Sequence, residues 1–254
     1  MTIKESDRDP QDPIRILALD TTAKECSICI MSNGSILSEY NFLSRNDLSS
    51  KLVVLIDFVL REAGFKLSDI DCFGIATGPG IFTGIRVGMA TLKGLLFDRK
   101  ISIVPVNTLM AIHSKFSNYS NKLLALRDAK RGQVYVAGYE YSEHGVHPFQ
   151  SPALMDMEEL LVQLDSDSAF GFAGCGARAY REAILQKLPT SSIFTGSNFL
   201  AAEIAAIAFR EFQAGRFEGD IEKIFPLYIR KTDAEENYER NRIDRRSRPK
   251  AATQ

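Results

Sequence analysis

The residues best suited to chemistry form a glycine-rich turn, Gly78-Pro79-Gly80, between two apolar segments. Ile70 to Ala76 has the composition of a buried strand, and Val87 to Phe97 has that of a helix. Proline fixes one backbone angle, and glycine permits the positive φ of a tight reversal. A turn from a strand into a helix directs free N–H groups outward, where they can hold an anion. Gly78 and Gly80 are therefore candidate phosphate ligands, although the same turn can serve packing alone.

A second candidate is Asp20-Thr21, which closes the first predicted strand, Ile14 to Asp20. A carboxylate at this place could position Mg²⁺ and the phosphates of a nucleotide. It could instead accept hydrogen bonds from nearby N–H groups in a strand-end turn. Both interpretations of Asp20 remain open from the residues alone.

The spacing of Cys26-Ser-Ile-Cys29 matches that of a redox pair or half a zinc site. The segment alternates like a strand, however, and alternation sends positions three apart to opposite faces. No second close pair of cysteines exists to complete a zinc site. We therefore expect reduced, buried thiols.

Two predicted helices carry more apolar or small residues than packing on one sheet requires. Helix 48–63 has a wide apolar stripe, and helix 82–97 contains glycines that each cost about 1 kcal/mol relative to alanine. Small residues let another backbone come close. The second contact could lie inside this chain or at an interface. We predict a partner interface through Leu52, Leu55, Ile56, Val59, Phe82, Gly84, Arg86, Val87, Gly88 and Thr91.

The segment Gly78-Pro-Gly-Ile-Phe-Thr-Gly-Ile-Arg-Val-Gly88 resembles the hallmark of the TsaB (YeaZ-like) family, a subunit of the machinery that makes threonylcarbamoyladenosine in tRNA. Four further segments fit the family in the right order: Ile16–Thr22, Val104–Thr108, Asp128–Tyr135 and Pro226–Arg230. The resemblance implies the two-lobed, actin-like α/β fold of sugar kinases and heat-shock ATPases, with mixed sheets flanked by helices. It implies lobes at 14–118 and 119–234, between a disordered leader, 1–13, and a disordered basic tail, 235–254.

The resemblance also implies a non-catalytic role. TsaD, the catalytic relative, carries two metal-binding histidines four residues apart, and Thr108 and Ile112 stand at those positions here. His113 lies one residue away and is alone. The glycine that usually follows the acidic residue of the first phosphate loop is absent after Asp20. The resemblance therefore predicts no catalytic residue, no metal and no cofactor on this chain alone, with ATP or ADP at the interface of a complex.

Two turns in the second half leave alternatives open. Asp128 and Arg131 could cap the turn between two strands or contact the other lobe or a partner. Gly174-Cys175-Gly176 leads from a strand into a predicted helix, Ala177 to Leu188. In the actin-like fold such a turn can lie against adenosine, but simple turn geometry explains it equally.

Composition limits the classes of function. The chain has 254 residues, a net charge of −1 and 45% hydrophobic residues, so it can bury a core and is not an obvious nucleic-acid binder as a whole. No apolar run reaches the roughly 18 residues of a membrane helix, and the first 13 residues lack a signal-peptide core, so we expect a cytoplasmic protein. Six Lys or Arg lie between Arg240 and Lys250; this tail is either solvated or in contact with RNA.

The functional hypothesis is a dimerisation or scaffold subunit that supports TsaD in threonylcarbamoylation of adenosine 37 of tRNA. It implies a heterodimer with TsaD, a further partner in the ATPase TsaE, a homodimer when alone, contact with tRNA through the complex and no membrane. The alternatives are an independent actin-fold ATPase, kinase or glycoprotease-like metalloenzyme, and a nucleotide-binding regulator without chemistry.

Overall fold

The computed structural model describes residues 12–45, 47–97, 99–116, 122–142, 145–165 and 168–230. The predicted tail and nearly all of the predicted leader lie outside these residues. Among the described residues, every helix is too short or too polar to span a bilayer.

The first sheet has five strands in the order β3-β2-β1-β4-β5. β1 pairs antiparallel with β2 and parallel with β4, and β5 lies parallel to β4. Asn33 and Gly34 form the β2–β3 turn with positive φ angles of 46° and 80°, as the Asn-Gly pair predicts. The elements of this half are β1 (Arg15–Asp20), β2 (Glu25–Ser32), β3 (Ser35–Leu43), α1 (Leu48–Glu62), β4 (Cys72–Gly78), α2 (Phe82–Leu95), β5 (Ser102–Asn107) and α3 (Thr108–Phe116).

The second sheet repeats this arrangement in the order β10-β9-β6-β7-β8. β7 pairs antiparallel with both β6 and β8, whereas β9 and β10 run parallel to β6. The elements are β6 (Lys122–Lys130), β7 (Gln133–Ser142), β8 (Gly145–Asp156), α4 (Met157–Gln163), β9 (Gly171–Ala173), α5 (Cys175–Ala179), α6 (Arg181–Lys187), β10 (Ser192–Phe194) and α7 (Ala201–Gln213). The repeated strand order and directions confirm the predicted two-lobed α/β fold with mixed sheets flanked by helices, and they fit an ancient duplication.

The last helix of each half packs on the sheet of the other half, and these two helices, α3 and α7, form a central layer between the sheets. α3 follows the first sheet but packs on β6 and β7 of the second, whereas α7 follows the second sheet and packs on β1, β2 and β4 of the first. Gly74 in β4 makes room for α7, because a Cβ there would lie 2.9 Å from that of Ala208. α7 thus joins the first sheet although it falls in the range predicted for the C-terminal lobe; the lobe boundary at residue 118 stays a prediction.

Two elements differ from the sequence-based expectations. The local pattern around His147 predicts a loop, but His147 lies on β8, whose Pro148 and Pro152 weaken the strand signal. Proline is tolerated here because β8 is the edge strand of its sheet. The helix predicted from Ala177 to Leu188 is instead two short helices, α5 and α6, which meet at Tyr180 with φ −109° and ψ 23°.

His113 on α3 lies in the central layer, where it is 2% exposed. Its ring packs against the rings of Tyr139 and Tyr141, with centroids 4.4 and 5.8 Å away. Nε2 has no hydrogen-bond partner. Burial without a compensating charge lowers the pKa of His113 from 6.5 to about 4. The side chain serves as a neutral aromatic spacer between the halves.

We predict that His113 makes the fold sensitive to mild acid. As pH falls from 6.5 towards 4, the unfolded chain takes up a proton that the folded chain excludes, so stability present above pH 6.5 is lost across this window. At about 1.4 kcal/mol per pKa unit, the loss reaches roughly 3 kcal/mol. His113→Phe should flatten the dependence of unfolding free energy on pH in urea titrations, whereas His147→Phe on the exposed edge should not. If unfolding free energy depended on pH equally in His113→Phe and in the unmodified protein, the acid sensitivity could not be assigned to His113.

Candidate functional site

The loop after β1 lies directly against the glycine-bearing face of α2. The Thr21 hydroxyl donates a hydrogen bond to the Gly84 carbonyl at 2.9 Å. A Cβ at Gly84 would overlap the Thr21 carbonyl oxygen, and one at Gly88 would overlap the Thr21 hydroxyl. The small residues of α2 are therefore required by this chain's own loop. Of the two contacts that the sequence left open, one inside the chain is therefore present, and a partner contact of Gly84 or Gly88 stays a prediction.

The loops after β1 and β4, which carry the candidate phosphate ligands, bond to each other. The Ile81 N–H donates to the Thr22 carbonyl at 2.7 Å, and Gly80 approaches the same carbonyl so closely that a Cβ would overlap it. Gly78, with φ 113°, faces the Leu227 carbonyl. Phosphate binding by Gly78 and Gly80 thus stays a prediction, and the packing interpretation has direct support.

Asp20 is fully buried and organises its own turn. Its Oδ1 accepts hydrogen bonds from the Thr22 N–H at 2.8 Å and the Thr22 hydroxyl at 2.6 Å. Oδ2 has no partner. The geometry is that of a strand-end turn, and a role for Asp20 and Thr21 in placing a nucleotide stays a prediction.

Arg127, at the end of β6, joins the second lobe to these loops and was missed from the sequence. Its Nη1 donates to the Thr22 carbonyl at 3.0 Å, to the Pro79 carbonyl at 3.2 Å and to the Thr22 hydroxyl. The residue is 4% exposed, and its Nε has no partner. The sequence contains one indication of its role, because Arg127 is a charged residue at the end of the apolar run from Leu123 to Leu126, where a buried position is expected.

A cleft of about 850 Å³ opens above Arg127, between the two lobes. The C-terminal segment Leu227–Arg230 crosses one side of it. The Leu227 N–H donates to the Thr77 carbonyl at 2.8 Å in the first lobe, and Arg230 Nη1 donates to the Ala129 carbonyl at 2.7 Å in the second. This segment therefore fastens the two lobes together along the cleft.

Phe82 and Arg86, two of the predicted interface residues, hold this segment. The rings of Phe82 and Tyr228 stack with centroids 4.6 Å apart. The Arg86 guanidinium lies 3.7 Å from the centre of the Phe82 ring, and its Nε donates to the Tyr228 hydroxyl at 3.1 Å. An additional contact of Phe82 or Arg86 with a partner stays a prediction.

The other predicted interface residues differ in how much of each side chain is exposed to solvent. Leu52, Ile56 and Val59 are at most 2% exposed and belong to the core under the first sheet. Leu55, Val87 and Thr91 are half-buried. The apolar side chains that α1 presents to solvent are instead Val53, Val54 and Phe58, which are 42–63% exposed. Sequence periodicity found the apolar helix but could not say which of its two apolar faces meets the sheet.

The positions of the TsaD histidines are occupied by core contacts. The Thr108 hydroxyl lies 3.5 Å from the Thr22 hydroxyl and is fully buried, and Ile112 packs in the central core. Within the described ranges, no three His, Cys, Asp or Glu side chains come together as a metal site would require.

The cysteines behave as predicted. Cys26 and Cys29 are free thiols that belong to different core clusters on opposite faces of the first sheet. Burial raises the pKa of each thiol to about 12.

The two turns of the second half show local roles. Asp128 caps its turn, with Oδ1 accepting the Lys130 N–H at 2.8 Å, and Arg131 has a positive φ of 56° in the same turn. Gly174 has φ 97°, and a Cβ there would overlap the Leu126 carbonyl. Turn capping and turn geometry therefore account for both segments.

We predict opposite effects for two glycine substitutions in α2. Gly84→Ala should destabilise the protein by about 1–3 kcal/mol, because its methyl group overlaps the Thr21 backbone. Gly94→Ala is the matched control: nothing lies within 4 Å of its Cβ, so it should stabilise by up to about 1 kcal/mol. Chemical denaturation measures both. Similar changes in the two variants would show that the loop is not seated on this face.

Comparison with known proteins agrees with this geometry. The family model described as "TsaD: tRNA N6-adenosine threonylcarbamoyltransferase" matches residues 43–238. The "tRNA threonylcarbamoyladenosine biosynthesis protein TsaB" of Escherichia coli (strain K12) is 28% identical over 85% of this chain and 95% of its own length. The protein of the same name from Bacillus subtilis (strain 168) is 26% identical over 87% of this chain and 96% of its own.

A solved structure supports the fold independently. YeaZ from Pseudomonas aeruginosa superposes with a TM-score of 0.70 at 23% identity, covering 85% of this chain and 99% of that one. Since the family model spans most of the chain, this protein belongs to the TsaD family, and the relatives that it matches over nearly their whole length are TsaB proteins.

Proposed function

We propose that this protein is a non-catalytic subunit that supports TsaD in threonylcarbamoylation of adenosine 37 of tRNA. The observation that carries the proposal is the match to TsaB proteins over more than nine-tenths of their length, on a chain whose predicted actin-like topology is complete in both halves. TsaE is a further partner, and tRNA meets the protein within the complex.

The proposal that the protein has no independent catalysis is supported by the residues at the positions that the resemblance matches to TsaD's histidines. Thr108 and Ile112 offer no nitrogen ligand and are engaged in buried contacts. One of the backbone groups that could hold a phosphate, the Ile81 N–H, is engaged as well, because it donates to the Thr22 carbonyl. We therefore assign ATP or ADP to the interface of the complex and not to the loops of this chain alone.

The proposed docking surface is the outer face of α1. Val54 and Phe58 lie one turn apart and are 63% and 42% exposed, and the Phe58 ring meets the edge of Tyr40 on β3 at 5.8 Å. Adjacent exposed apolar side chains of this kind mark protein contacts. The same face serves a homodimer when the chain is alone and a heterodimer with TsaD when both are present.

The function is tested by reconstitution. Purified TsaD and TsaE should modify unmodified tRNA efficiently only when this protein is added, and the protein alone should neither modify tRNA nor turn over ATP. Mass measurement of a mixture with TsaD should detect a stable complex. Full modification without this protein, or stoichiometric iron or zinc in protein purified without added metal, would overturn the proposal.

We predict that Val54→Glu weakens the complex with TsaD by about tenfold or more, because a carboxylate would be buried against an apolar surface. Val162→Glu on α4 is the matched control, since Val162 is 73% exposed and lies in the other lobe. Both variants should keep the stability of the unmodified protein. Equal affinities of the two variants for TsaD would place the interface elsewhere.

A further inference from the structure

The cleft between the lobes carries a concentration of positive charge that the overall composition conceals. Its walls include five cationic and two acidic side chains, a net charge of +3, in a protein whose total is −1. Lys24, Arg127 and Arg230 come from three separate segments and all line this space. Within the described residues, none of these three has a carboxylate at salt-bridge distance: Arg127 and Arg230 bond only to neutral groups.

Arg127 is the cation of the cleft that most needs an anion. A guanidinium that is 4% exposed normally has an anionic partner, because burying an uncompensated charge is costly. Within the described residues, the hydrogen bonds of its Nη1 all go to oxygens of Thr22 and Pro79, and Nε is buried without a partner. Asp20 lies beyond the Thr22 hydroxyl and is already bonded to it.

Acidic neighbours do not neutralise the cleft. Asp128 is occupied by Lys130, through both its N–H and its ammonium group. Glu25 accepts a hydrogen bond from Asn198 at 3.3 Å. Lys24 is exposed at the mouth, and Arg230 is held by the Ala129 carbonyl and the Gln133 side chain, which leaves its charge uncompensated.

Aromatic surface lies beside these cations. Phe82 and Tyr228 stack on each other at the mouth, Tyr228 remains 40% exposed, and Tyr135 forms part of the wall. Cationic side chains that contact phosphates, together with aromatic rings that receive bases, are the usual means of holding a single strand of nucleic acid.

We propose that this cleft is a binding site for a single-stranded segment of RNA, with Lys24, Arg127 and Arg230 contacting its phosphates. The proposal rests on the proposed function in tRNA modification, since that function supplies the RNA. It goes beyond that function by placing an RNA contact on this subunit's own surface, separate from the α1 face proposed for TsaD.

A free nucleotide fits the same cleft less well. The loops that would surround its phosphates are bonded to each other through the Thr22 carbonyl and the Ile81 N–H. The Mg²⁺ that accompanies a nucleoside triphosphate is usually held by one or two carboxylates. The two that line the cleft, Glu25 and Asp128, are already bonded to Asn198 and Lys130. A phosphodiester backbone needs no such metal and can follow cations spread along an open cleft.

The test uses the full-length protein without TsaD and a short fluorescein-labelled oligouridylate, with binding followed by fluorescence anisotropy across a salt series. Binding should weaken as salt rises. Lys24→Gln should lower affinity by up to about fivefold at low salt, the contribution of one exposed charge contact. It should also reduce the slope of log affinity against log salt by about 0.7, the value for one phosphate contact on a single strand. Arg127→Gln should lose more affinity than Lys24→Gln, because the Arg127 contact is buried. Circular dichroism checks that this variant is folded.

Lys100→Gln is the matched control. Lys100 is exposed and precedes β5, whose first residue lies at the opposite end of the first sheet from the cleft, so its removal should leave affinity and slope unchanged. Equal losses in the Lys24 and Lys100 variants, or no binding at low salt, would overturn the proposal. Displacement of the RNA by ATP at equal phosphate concentration would assign the cleft to a small nucleotide and overturn it too. None of these results would affect the complex with TsaD, so the two proposals fail separately.

Discussion

The structure depends on the loop Thr21-Thr22 being seated between three other segments. Its carbonyl and hydroxyl oxygens accept hydrogen bonds from Ile81 and Arg127, and glycines of α2 and of the turn before it provide the space. Because one buried loop bonds to the turn after β4 and to the end of β6, it couples the positions of the two lobes, in addition to the link through Leu227–Arg230. A side chain larger than hydrogen at Gly80 or Gly84 would separate these segments.

The same arrangement uses part of the backbone that could otherwise bind an anion at the two candidate phosphate loops. In an open cleft, backbone N–H groups at helix N-termini remain available to an anion. Here the Ile81 N–H is used within the chain, and the Arg127 guanidinium occupies the junction from the other lobe. The cleft is wide and positively charged, but the Ile81 N–H and the Thr22 carbonyl are already bonded to each other, so cationic side chains provide most of its means of recognising an anion.

Much of the fold was accessible from the sequence because the signals were local. Asn33-Gly34, the apolar run before Gly78 and the periodicity of α1 each depend on neighbouring residues, and each was located within about two residues. The candidate site was less accessible because its contacts are distant: Arg127 is 105 positions from Thr22, and Tyr228 is 142 from Arg86. Sequence could identify small residues in α2 but not that Thr21 fills the space above them. The sequence does not indicate β8, because its prolines are acceptable only in an edge strand and the position of a strand in its sheet cannot be read from local sequence.

The exchange of α3 and α7 between the halves has a consequence for how the chain reaches its native state. The face of the first sheet that Ile204 and Ala208 cover stays bare until α7 has been synthesised, more than 90 positions after the end of β5. Burial of that face must therefore wait for a contact of high sequence separation, which slows folding and prolongs the exposure of apolar surface on the emerging polypeptide. A ribosome-bound chain that ends after β5 or α3 therefore exposes an apolar face that the finished chain buries under α7.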